Sequence, residues 1–248
     1  MTAGNPASGA ARDENSRRTR VQPVFGWLAA HGEPDWPARL VALADGLDDL
    51  GDPGAPLRVW LDPERGVDPS ARRLAWMLDN AHRLAPRDGG RWREYHQRVI
   101  ANPHRDAARQ LLARGDTGIP PRLKLEGPTH ADCLIETERA VIWIEGKRND
   151  WLAPATTWDA VRDQLARNAE AAHLVAARHG KRSLVIICHE HPLKHHEQAL
   201  LDGYRNGTWS AGWPHLDEPL RRRLGAAIGT LTWARLTAAW PPLAARLS

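Results

Sequence analysis

Two apolar runs, Val141–Ile144 (Val-Ile-Trp-Ile) and Ser183–Cys188 (Ser-Leu-Val-Ile-Ile-Cys), constrain this chain more than any other feature. Both are too short for helices and read as strands, the second of them buried on both faces. Between them Trp158, Val161, Leu165, Ala169, Ala172 and Val175 recur at helical spacing, which predicts a helix from about Thr157 to His179. A strand reached across a helix lies parallel to its neighbour, so the two runs belong to one sheet with the helix on its face. Leu123 and Leu125, then Cys133 and Ile135, are expected to supply two earlier strands. The order is therefore helix, three strands, helix, strand: an α/β fold with a mixed sheet.

The rest of the chain reads as helical additions to that core. Residues 1–20 carry Gly, Ala, Ser, Asn and charge without apolar periodicity and are expected to form a disordered tail. Residues 21–90 form a helical N-terminal region, with Leu40, Val41, Leu43, Ala44 and Leu47 on one helix and Leu74, Met77, Leu78 and Ala81 on another, opened by Asp68 and Pro69. Helices are also expected over Arg91 to Ala101 and Pro103 to Arg114. The core spans 91–205, and 206–248 is a helical C-terminal extension broken at Pro241 and Pro242. A chain of 248 residues, 42% hydrophobic, can bury one sizeable core with such additions.

Composition points weakly to a partner and more firmly to a compartment. The net charge is +4 and the basic residues are mostly arginine, which suits bidentate contact with phosphate. Cys133 and Cys188 sit far apart in apolar runs, as buried thiols of a reducing compartment do. No signal-type segment and no apolar stretch of membrane-spanning length is present, so the chain is read as cytoplasmic, without a membrane partner.

The chemistry concentrates between Lys124 and Asp150. Glu145 and Lys147 are two apart on a predicted strand, so both side chains leave the same face. If the strands around Cys133 and Trp143 form a hairpin turning at Glu138 and Arg139, residues whose numbers sum to 277 lie opposite one another, and Asp132 faces Glu145. Opposed strand residues have Cβ atoms about 5 Å apart, so two carboxylates would meet and repel unless a hard divalent cation joined them. Mg²⁺ is the cation expected, with Mn²⁺ as a substitute, and Lys147 adds a fixed positive charge beside it. Phosphodiester hydrolysis needs these parts: carboxylates that hold a metal, the metal itself, and a cation for the charge that grows during attack.

Asp132, a twelve-residue interval and Glu145-Gly146-Lys147 resemble the signature of the PD-(D/E)xK nuclease superfamily. The resemblance covers roughly Arg91 to Cys188 and implies a restriction-endonuclease-like αβββαβ core. It implies that Asp132 and Glu145 bind metal with help from the Gly146 carbonyl, that Lys147 orients water or stabilises the transition state, and that the substrate is nucleic acid, with DNA favoured. Ala131 stands where the family has its proline. The helical acidic residue of many members corresponds to Glu94 or to Glu126, and these alternatives stay open. Gln164 is similar to the conserved glutamine of some RecB-like members, whose following tyrosine is replaced here by Asn168.

Other features read more plainly. The His189–Glu197 segment (His-Glu-His-Pro-Leu-Lys-His-His-Glu) has the residues of a zinc site but not the spacing, because Pro192 interrupts any helix that would align them, so it is read as a loop. Most of the twelve tryptophans sit at core spacing, and only Trp151 and Trp158 are placed where nucleic acid would reach them. Arg221 to Arg223 read as a solvated helix face.

Overall fold

A computed structural model describes residues 16–61, 66–84, 96–148 and 152–247. Helices α1 (Gln22–His31) and α2 (Trp36–Leu43) lead to strand β1 (Pro56–Trp60), and α3 (Ala71–Asp79) and α4 (Arg105–Ala113) follow. The central part is β2 (Cys133–Thr137), β3 (Ala140–Lys147), α5 (Gln164–Arg178) and β4 (Arg182–His189). The chain continues through α6 (His195–Arg205), α7 (Glu218–Ala226), β5 (Ile228–Thr232) and α8 (Trp233–Ala239).

The five strands form one mixed sheet in the order β1-β2-β3-β4-β5. The β1–β2 and β2–β3 pairs are antiparallel, and the β3–β4 and β4–β5 pairs are parallel. Strand β3 is thus the central strand and the line along which the sheet changes sense. The α/β class and the mixed sheet agree with the sequence reading, as do the parallel crossover through α5 and the hairpin register from Cys133 to Glu136; the expected Asp132–Glu145 pair is not part of the ladder, because the Asp132 N–H bonds to the Ile144 carbonyl instead. Cys133 lies opposite Ile144 and Leu134 opposite Trp143, both pairs summing to 277.

Strand alternation sorts the sheet residues onto two faces. One face carries Cys133, Ile135, Ile142, Ile144, Leu184, Ile186 and Cys188, covered by α1, α2 and α8 through Phe25, Leu28, Trp36, Leu40, Trp233 and Leu236. The other carries Leu134, Val141, Trp143, Val185 and Ile187 against Leu165, Ala169, Ala172 and Ala176 of α5. Both cysteines are buried free thiols on the first face, and burial raises the pKa of each. A third cluster, Leu74, Met77, Leu78, Leu112, Leu123, Leu125 and Trp158, packs α3 and α4 beside the sheet layers.

Several expectations need correction. Leu123 and Leu125 do not form a strand: Pro121–Leu123 is a 3-10 turn, and both leucines are buried in the third cluster. Pro120 and Pro121 lack the N–H groups a strand ladder needs, and the apolar pair serves a helical cluster instead. The expected helix, three strands, helix, strand order is therefore not the order found. The edge position belongs to β1, some sixty residues earlier, inside a region read as helical, and β5 lies inside the supposed helical C-terminal extension. Both edge strands have only five residues, too few for a two-residue period to stand out against helical flanks. Residues 17–20, assigned to the disordered tail, form a π-helical turn with Arg17–Val21, and Val21 packs on the sheet. Finally, α5 starts at Gln164 rather than Thr157, because Asp163 caps it by accepting a bond from the Ala166 N–H at 2.8 Å. The caps of α3 behave alike: Ser70, two residues after the expected Asp68, accepts from the Arg73 N–H at 3.0 Å.

Candidate active site

The site lies at the carboxyl end of β3, where the parallel strands β3, β4 and β5 all terminate. In open α/β sheets ligands are held outside the carboxyl ends of the parallel strands. Glu145 and Lys147 leave β3 on the α5 face, and their side chains form an ion pair of 3.0 Å. Both residues are almost fully enclosed, Glu145 at 4% and Lys147 at 3% exposure.

Helix α5 supplies the remaining partners of Glu145. Gln164 Nε2 donates to Glu145 Oε1 at 2.7 Å, and Asn168 Nδ2 donates to Glu145 Oε2 at 3.0 Å. The two amides are i and i+4 on one helical face, so both point down onto the strand. The Gln164 amide is oriented by a second bond, since its Oε1 accepts from the Ala153 N–H at 3.1 Å. Sequence reasoning gave Gln164 this position. The i, i+4 spacing also put Asn168 on the same face, but only Gln164 was carried over to the site, because Asn168 replaces the tyrosine of the RecB-like pattern. The Asn168 Oδ1 is buried and has no hydrogen-bond partner.

Asp132 approaches from the start of β2. Its N–H donates to the Ile144 carbonyl at 3.1 Å, and its Oδ2 accepts from the Gly146 N–H at 2.8 Å. The carboxylate therefore takes the place of the strand carbonyl that β2 would supply had it continued. In a strand the N–H and C=O of one residue leave on the same edge, so the Gly146 carbonyl also lies on the Asp132 side. A side chain at position 146 is sterically excluded: a Cβ there would stand 2.3 Å from Val21 Cγ2. Asp132, Glu145, Gly146 and Lys147 are thus gathered at one end of the central strand, rather than at an edge of the sheet.

The accessory candidates separate. Glu94 lies outside the described residues. Glu126 is buried and held elsewhere: Arg73 Nε donates to it at 3.0 Å and Arg162 Nη2 at 3.0 Å. It belongs to a network in which Arg73 also holds Asp159 at 2.7 Å and Arg162 holds Glu170 at 2.8 Å. His215 Nε2 lies 3.0 Å from Glu170 Oε2. Burial alone would raise the carboxyl pKa of Glu126, but the charges of Arg162 and Arg73 outweigh it and hold the group below its ordinary range. Glu170 follows the same pattern through Arg162 and His215. The His215 pKa falls because burial outweighs the pull of Glu170. This arrangement ties α3 to α5 and explains why Glu126 does not turn to Glu145.

The histidine segment is not a loop throughout, since His189 ends β4 and His195–Glu197 open α6. His189 Nδ1 contacts the His191 carbonyl at 2.6 Å, Glu190 pairs with Arg20 at 3.0 Å, and Glu197 accepts from the Lys194 N–H at 2.6 Å as the cap of α6. Among the described residues no group of three or more His, Cys, Asp or Glu side chains is disposed to hold a metal ion. Trp151 lies outside the described residues, and Trp158 is buried in the third cluster with the Arg98 guanidinium 5.8 Å from its ring centre. Arg222 pairs with Glu218 on an exposed helix face, and no helix among the described residues is long and apolar enough to cross a membrane.

No family model, no curated protein and no solved structure matches this chain.

Proposed function

We propose that this protein is a metal-dependent nuclease of the PD-(D/E)xK type that hydrolyses phosphodiester bonds, DNA being the favoured substrate. The observation that carries this reading is the convergence of the Asp132 carboxylate on the Gly146 N–H with the Glu145–Lys147 ion pair on the same two turns of strand. The donor set suits a hard cation, since two carboxylates and a backbone carbonyl are all oxygen ligands and Mg²⁺ commonly takes only one or two carboxylates. The absence of a three-acid group among the described residues is compatible with that, because the third ligand would be the Gly146 carbonyl. Asp132, Glu145 and the Gly146 carbonyl would hold Mg²⁺ or Mn²⁺, which when bound polarises the phosphate and acidifies water.

The chain's own groups divide the remaining work. Lys147 holds a positive charge beside Glu145, in a dry environment where it acts strongly on charge that develops at phosphate. Gln164 and Asn168 fix the Glu145 carboxylate from the side opposite the strand. Asp132 is half-buried, whereas Glu145 and Lys147 are enclosed, so a phosphate approaches past Asp132.

A second reading has a specific observation in its favour. Both Glu145 oxygens are already hydrogen-bonded, to Lys147 and Gln164 on one side and Asn168 on the other. A carboxylate so satisfied suits a module that binds nucleic acid or a protein without cutting. Metal-dependent cleavage separates the two: purified protein is incubated with linear duplex, closed circular and single-stranded DNA and with RNA, in Mg²⁺ or Mn²⁺. The nuclease reading expects cleavage, its loss in Asp132→Asn and Glu145→Gln, and a drop of about 10²-fold in Lys147→Met with substrate binding in Ca²⁺ intact. Absence of cleavage of every substrate, with nucleic acid still bound, would establish the binding module instead.

A further inference from the structure

One turn along α5 from Gln164, and beside Asn168, stands Arg167. Residues i, i+3 and i+4 share a helix face, so Arg167 projects from the face that holds Glu145, displaced by about 5 Å along the axis. Its surroundings do not satisfy it. Its Nη2 donates to the Pro128 carbonyl at 3.1 Å and more loosely to the Gly127 carbonyl at 3.4 Å. The nearest carboxylate, Glu126, is 3.8 Å away and already carries Arg73 and Arg162. The Arg167 Nε is buried without a hydrogen-bond partner although the side chain is 26% exposed. A desolvated guanidinium with an unused donor is costly unless an anion completes it.

A polar cavity of about 300 Å³ opens on this group, lined by Lys124, Glu126, Gly127, Thr156, Thr157 and Arg167 among others. Lys124 is loosely held as well, its Nζ lying 3.8 Å from the half-exposed Asp68 carboxylate. The cavity therefore offers two under-committed cations and the Thr157 hydroxyl one helical turn from the amides that hold Glu145, while its one carboxylate, Glu126, is neutralised by Arg73 and Arg162.

We infer that this cavity is a phosphate subsite, in which Arg167 and Lys124 hold a phosphate of the same nucleic-acid strand next to the one at Asp132 and Glu145. The inference rests on the nucleic-acid reading above and extends it by giving the strand a direction, from Asp132 past Gln164 to Arg167. Both residues are positioning residues: they register the strand and take no part in bond cleavage.

The test is the salt dependence of binding. Labelled single-stranded DNA, duplex DNA and RNA are titrated in Ca²⁺ at several salt concentrations against wild type, Arg167→Gln, Lys124→Gln, Arg167→Lys and the remote Arg222→Gln. Each lost phosphate contact flattens the slope of log K against log salt by about 0.7 for single strands and 0.9 for duplex. Arg167→Gln and Lys124→Gln should each bind several-fold more weakly whatever the sequence and show the flatter slope. Arg167→Lys should retain the wild-type slope, and Arg222→Gln should match wild type. Lys124→Gln, at a partly exposed position, keeps the test decisive if Arg167→Gln fails to fold. Wild-type slopes in both glutamine variants would overturn the subsite and leave the nuclease reading standing. If wild type binds none of the three nucleic acids, the subsite and the reading beneath it fall together.

Discussion

Glu145 and Lys147 are separated by a single residue and pair on one strand, whereas Arg73, Glu126, Arg162 and Glu170 come from separated segments and meet only in the folded chain. Both clusters are buried and both flank α5. They differ in what holds the carboxylates. In the long-range network Glu126 and Glu170 are gripped by guanidinium groups, with His215 and Ser70 completing Glu170. At the strand end Glu145 is held by one lysine and two neutral amides. Guanidinium forks are rigid, always charged and hard to displace, which suits a latch between α3 and the sheet layers. Amides and a lysine give a carboxylate that a cation can recruit at lower cost, which suits a site.

Breaking the network should have the largest effect. Arg162→Met leaves Glu126 and Glu170 each short of a charge partner in a dry interior, so we expect a loss of about 3–5 kcal/mol, read as a large fall in the denaturant midpoint. The equivalent change at the site, Lys147→Met, leaves Glu145 with both amide bonds, and the expected loss is smaller, about 1–3 kcal/mol. Equal losses in the two variants would erase the distinction drawn between latch and site. Gly146→Ala sharpens the site half of the comparison, because the new Cβ would occupy the space of Val21 Cγ2 and must displace it. Overpacking of this kind costs about 1–3 kcal/mol, and a compensating Val21→Ala in the same chain should restore part of it.

Acid should act on the network in two stages. The folded-state pKa values of Glu126 and Glu170 are lowered by their arginine partners, after burial's opposing effect. Their contribution is present above the ordinary carboxyl value of 4.5 and is lost as pH falls below it. His215 is also lowered, by burial, from 6.5, so the unfolded chain takes its proton first and stability falls as pH drops through that value. The smallest effect is thus a modest decline between neutral pH and about 5, followed by a steeper one, both visible in thermal midpoints measured across pH. In His215→Gln the first decline should shrink, the rest coming from His173 and His189, whose pKa values burial also lowers, while the second persists.

Much of the site was legible because its geometry is local. Two-residue alternation puts Glu145 and Lys147 on one face, and a short turn at Glu138 and Arg139 fixes a register in which Cys133 meets Ile144. The helix periodicity of 157–179 gave the crossover, and Gln164 came with it. Asn168 was set aside as a substitution for an absent tyrosine, though its spacing from Gln164 already put it on the same face. Glu126 was misjudged for a different reason. Nothing near it in sequence reveals Arg73, 53 residues earlier, or Arg162, 36 residues later.

The edge strands show the same limit in the backbone. Pro56–Trp60 and Ile228–Thr232 become strands because β2 and β4 offer them unpaired edges, and five residues carry too little pattern to announce this alone. What the sequence determined by itself was the central strand, its hairpin partner, the parallel crossover and the shared face of Glu145 and Lys147, since each follows from periodicity and turn length over a few residues. Tertiary structure alone decided the two edge strands, the commitment of Glu126 to arginines, and the under-satisfied Arg167 beside its cavity. Those depend on which distant groups share a dry interior, where the pairing of charges is settled by every neighbour at once.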